Sequence, residues 1–141
     1  MRIFLSTPMS CFKDSRELLA YKNSVKNLIV ELKKDHSVCS EIESIAKRSD
    51  YDTPEKSIST DLEAIRNCDV FVLHYPKALP TSALMELGFA IAFNKKIIII
   101  TPHISMLPYL SLGISSVCSE SLIIESENLD LPTIKKIIAC I

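Results

Sequence analysis

The chain has 141 residues, 48% of them hydrophobic and 23% charged, with 16 basic against 17 acidic side chains. That length suits one core of ordinary density, the composition is too apolar for a disordered chain, and the near-zero net charge offers no footprint for a nucleic-acid polymer or an anionic membrane. Only two glycines occur, Gly88 and Gly113, so neither a G-x-G-x-x-G turn nor a Walker A loop can be written.

Ile3-Phe4-Leu5-Ser6 is a short apolar run halted by Thr7-Pro8 and predicts a buried first strand. It starts directly after Met1-Arg2, so no cleavable leader is expected and the chain reads as cytoplasmic. From about Asp14 to Lys34, Leu18, Tyr21, Val25, Leu28 and Leu32 recur at helical spacing. Val38 to Ile42 predicts a second strand, and the polar stretch from Arg48 to Ser57, with Pro54, predicts a loop. Ile58, Leu62 and Ile65 mark a short helix. Asp69 to Tyr75 predicts a strong third strand, and Pro76 and Pro80 bracket the loop after it. Thr81 or Ser82 caps a helix running to about Phe93, apolar nearly all round and therefore expected to be buried on more than one side. Lys96 to Thr101 is the fourth strand, followed by a proline-interrupted stretch from Pro102 to Gly113 and a fifth strand at Ser121 to Glu125. Ile134, Ile137, Ile138 and Ile141 form the stripe of a last helix.

Helices alternating with continuous apolar strands predict an α/β fold: a doubly wound, flavodoxin-like five-stranded parallel sheet with helices on both faces, right-handed crossovers and one domain over residues 1–141. The longest apolar run, Ile97 to Ile100, is too short for a membrane span. The five cysteines lack a C-x-x-C pair and the three histidines lack ligand spacing, so reduced thiols and no metal are expected. Lys95-Lys96 and Lys135-Lys136 read as solvated helix-end charges.

In such a sheet ligands bind outside the carboxyl ends of the strands. The turn after strand one carries Ser6, Thr7, Pro8 and Ser10; the segment after strand two leads to Ser57 to Asp61; the segment after strand three runs from Pro80 through Thr81 and Ser82 to Glu86. Glu86 shares a helix face with Ala83, Ala90 and Phe93, where a carboxylate is costly without a partner or a purpose. It is either a nucleophile or a helix-start glutamate satisfying backbone N–H groups. Asp61 lies beside the Ile58/Leu62/Ile65 stripe and points toward the cleft edge, or else serves as an ordinary first-turn acid. Two carboxylates on one cleft edge suit glycosyl chemistry. Thr81-Ser82 can hold a phosphate through N–H and O–H donors or simply cap the helix. Ser6, Thr7 and Ser10 contact a ribose or close a turn, and His74 and Tyr75 end the third strand near the cleft.

The hydroxyl-Pro turn after strand one, the D-L-x-x-I-x-x-x-D-V run from Asp61 to Val70 and the M-E-L-G-F-A-I-A-F-N-K-K-I run from Met85 to Ile97, in that order, resemble the nucleoside 2-deoxyribosyltransferase superfamily, which also contains nucleotide N-glycosidases. The resemblance implies that Glu86 attacks the anomeric carbon, that Asp61 supports sugar binding and proton transfer, that Ser6-Thr7-Pro8 lies under the sugar, that no cofactor is needed, and that the chain forms a homo-oligomer. The apolar third helix and the Leu107 to Ile114 segment are candidate interfaces. The chain departs from the pattern in lacking the glycine of the first turn, in carrying Pro80 where relatives place an aspartate or a serine, and in approaching the glutamate through Ser82-Ala83-Leu84. These departures bear on base choice. The serine and Glu86-Leu87 pair after Asp69, together with Leu107-Pro108-Tyr109, are also similar to bacterial TIR-type domains, which implies an NAD hydrolase or cyclase in antiviral defence as the alternative. A non-catalytic nucleotide-binding sensor is the third reading. Gly88, directly behind Glu86-Leu87, is expected to let the helix pack closely on a neighbour.

Overall fold

The computed structural model describes residues 1–12, 14–43 and 52–141. Five strands, β1 (Arg2–Ser6), β2 (Ser37–Cys39), β3 (Val70–His74), β4 (Lys96–Thr101) and β5 (Ser121–Glu125), form one all-parallel sheet in the order β2-β1-β3-β4-β5. Among the described residues five α-helices accompany them: α1 (Ser15–Leu32), α2 (Pro54–Asn67), α3 (Ala83–Ala92), the short α4 (Ile114–Val117) and α5 (Leu131–Cys140). This is the doubly wound, flavodoxin-like α/β arrangement that the alternation predicts. No helix among the described residues is long and apolar enough to cross a membrane.

The two-residue period of the strands sorts the core into two layers. Ile3, Leu5, Val70, Val72, Ile98 and Ile100 face α1 and α5, where Val25, Leu28, Leu32, Ile134 and Ile137 cover them. Phe4, Phe71, Leu73, Ile97 and Ile99 face the other way, against Ile65 of α2, Ala83, Leu87 and Ala90 of α3, and Ile114 of α4. Every residue of β3 is buried, which is why its sequence runs apolar without alternation.

Local chemistry sets the helix ends. Asp14 accepts from Glu17 N at 2.8 Å and Asp130 from Thr133 N at 3.0 Å, so α1 and α5 begin on side-chain caps. Thr53 does the same for α2, where Pro54 occupies the first turn. Proline is suited there because its missing N–H would have no helical partner. The loop expected over Arg48 to Ser57 is therefore corrected from residue 54 onward, and Arg48 to Tyr51 lie outside the described residues. The second strand is also shorter than expected: it ends at Cys39, and Glu41–Glu43 form a 3-10 turn.

Three further expectations are corrected. Helix α3 buries one face only; Ala83, Leu87 and Ala90 are buried, whereas Met85 and Ile91 are exposed. Gly88 is exposed, and a Cβ there would meet nothing within 4 Å, so it makes no close approach. Lys95 is not merely solvated: its ammonium donates to the carbonyls of Arg66 and Cys68 at 2.6 and 2.9 Å, closing the C-terminal end of α2. Lys96 likewise donates to the Ile141 carbonyl at 3.3 Å.

Candidate active site

Strand β1 pairs with β2 on one side and β3 on the other, so the connections leaving β1 and β3 go to opposite faces and open a crevice at the carboxyl edge. A cavity of about 440 Å³ lies there. The loop after β1 contributes Thr7, Met9 and Ser10; the turn after β2 contributes Glu41; the approach to α2 and the helix itself contribute Asp52, Pro54, Ser57, Ile58 and Asp61; and α3 contributes Ser82, Met85, Glu86 and Phe89. The volume is within the range of small-molecule sites.

Three carboxyls dominate its electrostatics. Asp61 is buried on the inner side of α2, in line with Ile65, and lines the cavity together with Ile58, which is otherwise exposed. The Glu41 and Asp61 side chains are hydrogen-bonded to each other. Burial raises both above the usual carboxyl range; for Glu41 the charge of Asp61 adds to this and the carboxyl reaches about 7. Glu86 is also pushed up to about 7, chiefly by burial and further by the Asp61 charge, while the Ser6 hydroxyl counters the rise. Ser6 Oγ is buried and completes no hydrogen bond of ordinary geometry, so it is a donor held in reserve near the Glu86 carboxyl. Ser6→Ala removes that donor, and the pH at which Glu86 ionises is expected to rise by about half a unit to one unit. A pH profile of kcat/KM reads this as an upward shift of its acidic limb; an unshifted limb would detach Ser6 from Glu86.

Of the residues singled out in the sequence, Thr7, Ser10, Asp61, Ser82 and Glu86 meet in the cavity, with Ser6 buried close to Glu86. Four do not line it. Pro8 is buried, with its carbonyl accepting from Cys11 Sγ. Pro80 is exposed. Thr81 accepts from Ala83 N at 3.4 Å and so closes its own turn. Tyr75 is buried, and its hydroxyl donates to the Leu79 carbonyl at 2.8 Å. Ser82 occupies the N-cap position of α3 without forming a side-chain cap. His74 is a core residue: burial lowers its pKa to about 4, and the neutral ring stacks on Tyr21 and shares a hydrogen bond of 3.0 Å with the Tyr21 hydroxyl.

The site residue that sequence reasoning missed is Glu41. Its signal is its place just past the carboxyl end of β2, on the same edge as the other two acids. Drawing the second strand through Ile42 hides it as a strand residue.

No family model and no curated protein matches the chain. Solved structures do match over nearly its whole length. The structure of the Clostridium botulinum CMP N-glycosidase BcmB is 22% identical, covers 99% of both chains and superposes with a TM-score of 0.73. BlsM is 22% identical over 99% of this chain and 88% of its own, with a TM-score of 0.71. A conserved protein from Enterococcus faecalis V583 is 16% identical over 100% and 99%, with a TM-score of 0.66.

Proposed function

We propose that this chain, which has the fold of the nucleoside 2-deoxyribosyltransferase-like superfamily, cleaves or transfers at the N-glycosidic bond of a nucleoside or nucleotide. The observation that carries this reading is the convergence of Glu86 with the hydrogen-bonded Glu41 and Asp61 on one cavity at the carboxyl edge of the sheet. Its agreement with the fold of a CMP N-glycosidase supports the reaction class.

Glu86 in its ionised form attacks C1′ as the base departs through an oxocarbenium-like transition state. Its elevated pKa reflects an imperfectly solvated carboxylate, and relief of that charge on forming the glycosyl ester favours the attack. Asp61 accepts a sugar hydroxyl, and Thr7, Ser10 and Ser82 hold the remaining ribose hydroxyls or a phosphate. Water, or a second base, then takes the sugar from Glu86. A homo-oligomer belongs to the same proposal, with Met85, Ile91, Tyr109 and Leu110 as exposed apolar side chains for the contact.

The test is base release from a panel of deoxynucleosides, ribonucleosides, their 5′-monophosphates including CMP, and NAD, by the parent and by Glu86→Ala. The parent is expected to release a base from at least one member, and the variant to lose at least about a thousandfold in kcat. Equal rates in the two would remove Glu86 from the reaction. Nicotinamide release alone would move the substrate to NAD.

A further inference from the structure

The loop between β1 and α1 carries Thr7, Met9 and Ser10 on the cavity. Cys11 Sγ donates to the Pro8 carbonyl at 3.3 Å and Phe12 N to the Met9 carbonyl at 3.5 Å, so the loop is folded back on itself. At its end the Phe12 ring stacks on Tyr21 of α1, with centroids 4.4 Å apart. Tyr21 stacks in turn on His74, the last residue of β3, at 5.5 Å, and bonds to its Nδ1 at 3.0 Å. Lys77, on the loop after β3, places Nζ 4.8 Å from the centre of the Phe12 ring and 3.2 Å from the Glu17 carboxylate of α1. That second loop is braced as well: the Tyr75 hydroxyl donates to the Leu79 carbonyl at 2.8 Å and Leu79 N to the Lys77 carbonyl at 2.9 Å. It leads to Ser82 and Glu86. Phe12 is thus the joint between the loop that bears Thr7 and Ser10 and the loop that leads to Glu86. Rings at these separations, and a cation over a ring face, attract each other.

We propose that Phe12 is a positioning residue: held by Tyr21 and Lys77, it fixes the loop so that Thr7 and Ser10 stand ready for the sugar or phosphate before substrate arrives. The proposal rests on the reading of the cavity as a nucleoside or nucleotide site. Phe12 is not one of the residues that line the cavity, so it acts through the loop. A loop set in advance needs no ordering by the substrate. A loosened loop is competent for only part of the time, and the apparent affinity falls by that fraction. Once substrate is bound the loop is in place again, and the step at Glu86 proceeds at nearly the parent's rate. The signature is a rise in KM at nearly constant kcat.

The test uses the panel substrate that the parent cleaves fastest. Phe12→Ala is expected to raise KM about tenfold and to leave kcat within about threefold. Phe12→Tyr keeps the ring and is expected to restore KM. A parent-like KM in Phe12→Ala, a loss confined to kcat, or a Phe12→Tyr no better than Phe12→Ala would overturn the proposal. A second measurement needs no turnover. In the substrate-free protein, amide hydrogen exchange from Met9 to Phe12 is expected to quicken about tenfold in Phe12→Ala and about two- to fivefold in Lys77→Met, and to return to the parent's rate in Phe12→Tyr. Unchanged exchange in Phe12→Ala, or a rise spread equally over β3 and β4, would overturn the proposal whatever the kinetics give. If the parent cleaves no member of the panel, the reading of the cavity fails instead, and the exchange rates alone decide whether Phe12 fastens the loop.

Discussion

At pH 8, Glu86→Gln is expected to melt several degrees above the parent and to release no base. The Glu86 carboxyl is pushed up from 4.5 to about 7 in the folded protein, mainly by burial. A group with a raised folded-state pKa gives its full stability below the unfolded value and loses it as the pH rises through the folded value. For Glu86 that window runs from about 4.5 to about 7. Above it the parent holds a poorly solvated charge, at an order-of-magnitude cost of about 3 kcal/mol. Glutamine fills the same space without the charge, so the stabilisation is seen at pH 8 and vanishes near pH 5, where the parent's carboxyl is protonated. A gain of even 1 kcal/mol corresponds to roughly 2–8 °C in Tm across small domains. Thermal melts at the two pH values, beside the base-release assay, check both halves. A pH-independent difference in Tm would remove the buried charge as its cause.

Phe71→Ala is expected to lose about 3–5 kcal/mol of stability, a large part of what a chain of this size holds. Phe71, the second residue of β3, is fully buried and stacks on Phe4 of β1 with ring centroids 5.8 Å apart. It belongs to the layer that also contains Ala83 and Leu87, the residues that seat α3 and therefore Glu86. Truncation leaves a void between two central strands and α3, and a parallel sheet paired on both sides has little freedom to collapse into it. Urea unfolding is expected to show a lower midpoint at unchanged slope, whereas a loss below about 1 kcal/mol would mean that the layer repacks.

The strands and the edge of the sheet that carries the cavity were legible because apolar runs of β3 and β4 permit few alternatives and because α/β sheets open their crevice at the carboxyl edge. Asp61 and Glu86 were picked out as carboxylates near helix starts on that edge; Glu86 is indeed in the first turn of α3, whereas Asp61 lies midway along α2 because that helix begins earlier, at Pro54. What escaped the sequence depended on tertiary geometry. Glu41 lines the cavity only because β2 stops two residues earlier, at Cys39, and a 3-10 turn follows it. Pro54 reads as a breaker in isolation and is in fact a helix start, a distinction made by its cap, Thr53. Tyr75 and Thr81 carry hydroxyls suited to a sugar, yet each is occupied by a backbone partner within a few residues, a choice that composition does not reveal. The apolar character of α3 exceeded its burial because Met85 lines the cavity mouth and Ile91 faces outward.

The order β2-β1-β3-β4-β5 puts β3 in the interior of the sheet and β2 at its margin, where only three residues pair with β1. Glu86 follows the interior strand and Glu41 follows the margin. Changes of length or sequence around β2 can therefore alter the Glu41 side of the cavity while the ladder of β1, β3 and β4 stays in register. A cavity divided in this way can change what it admits on one side without rebuilding the other.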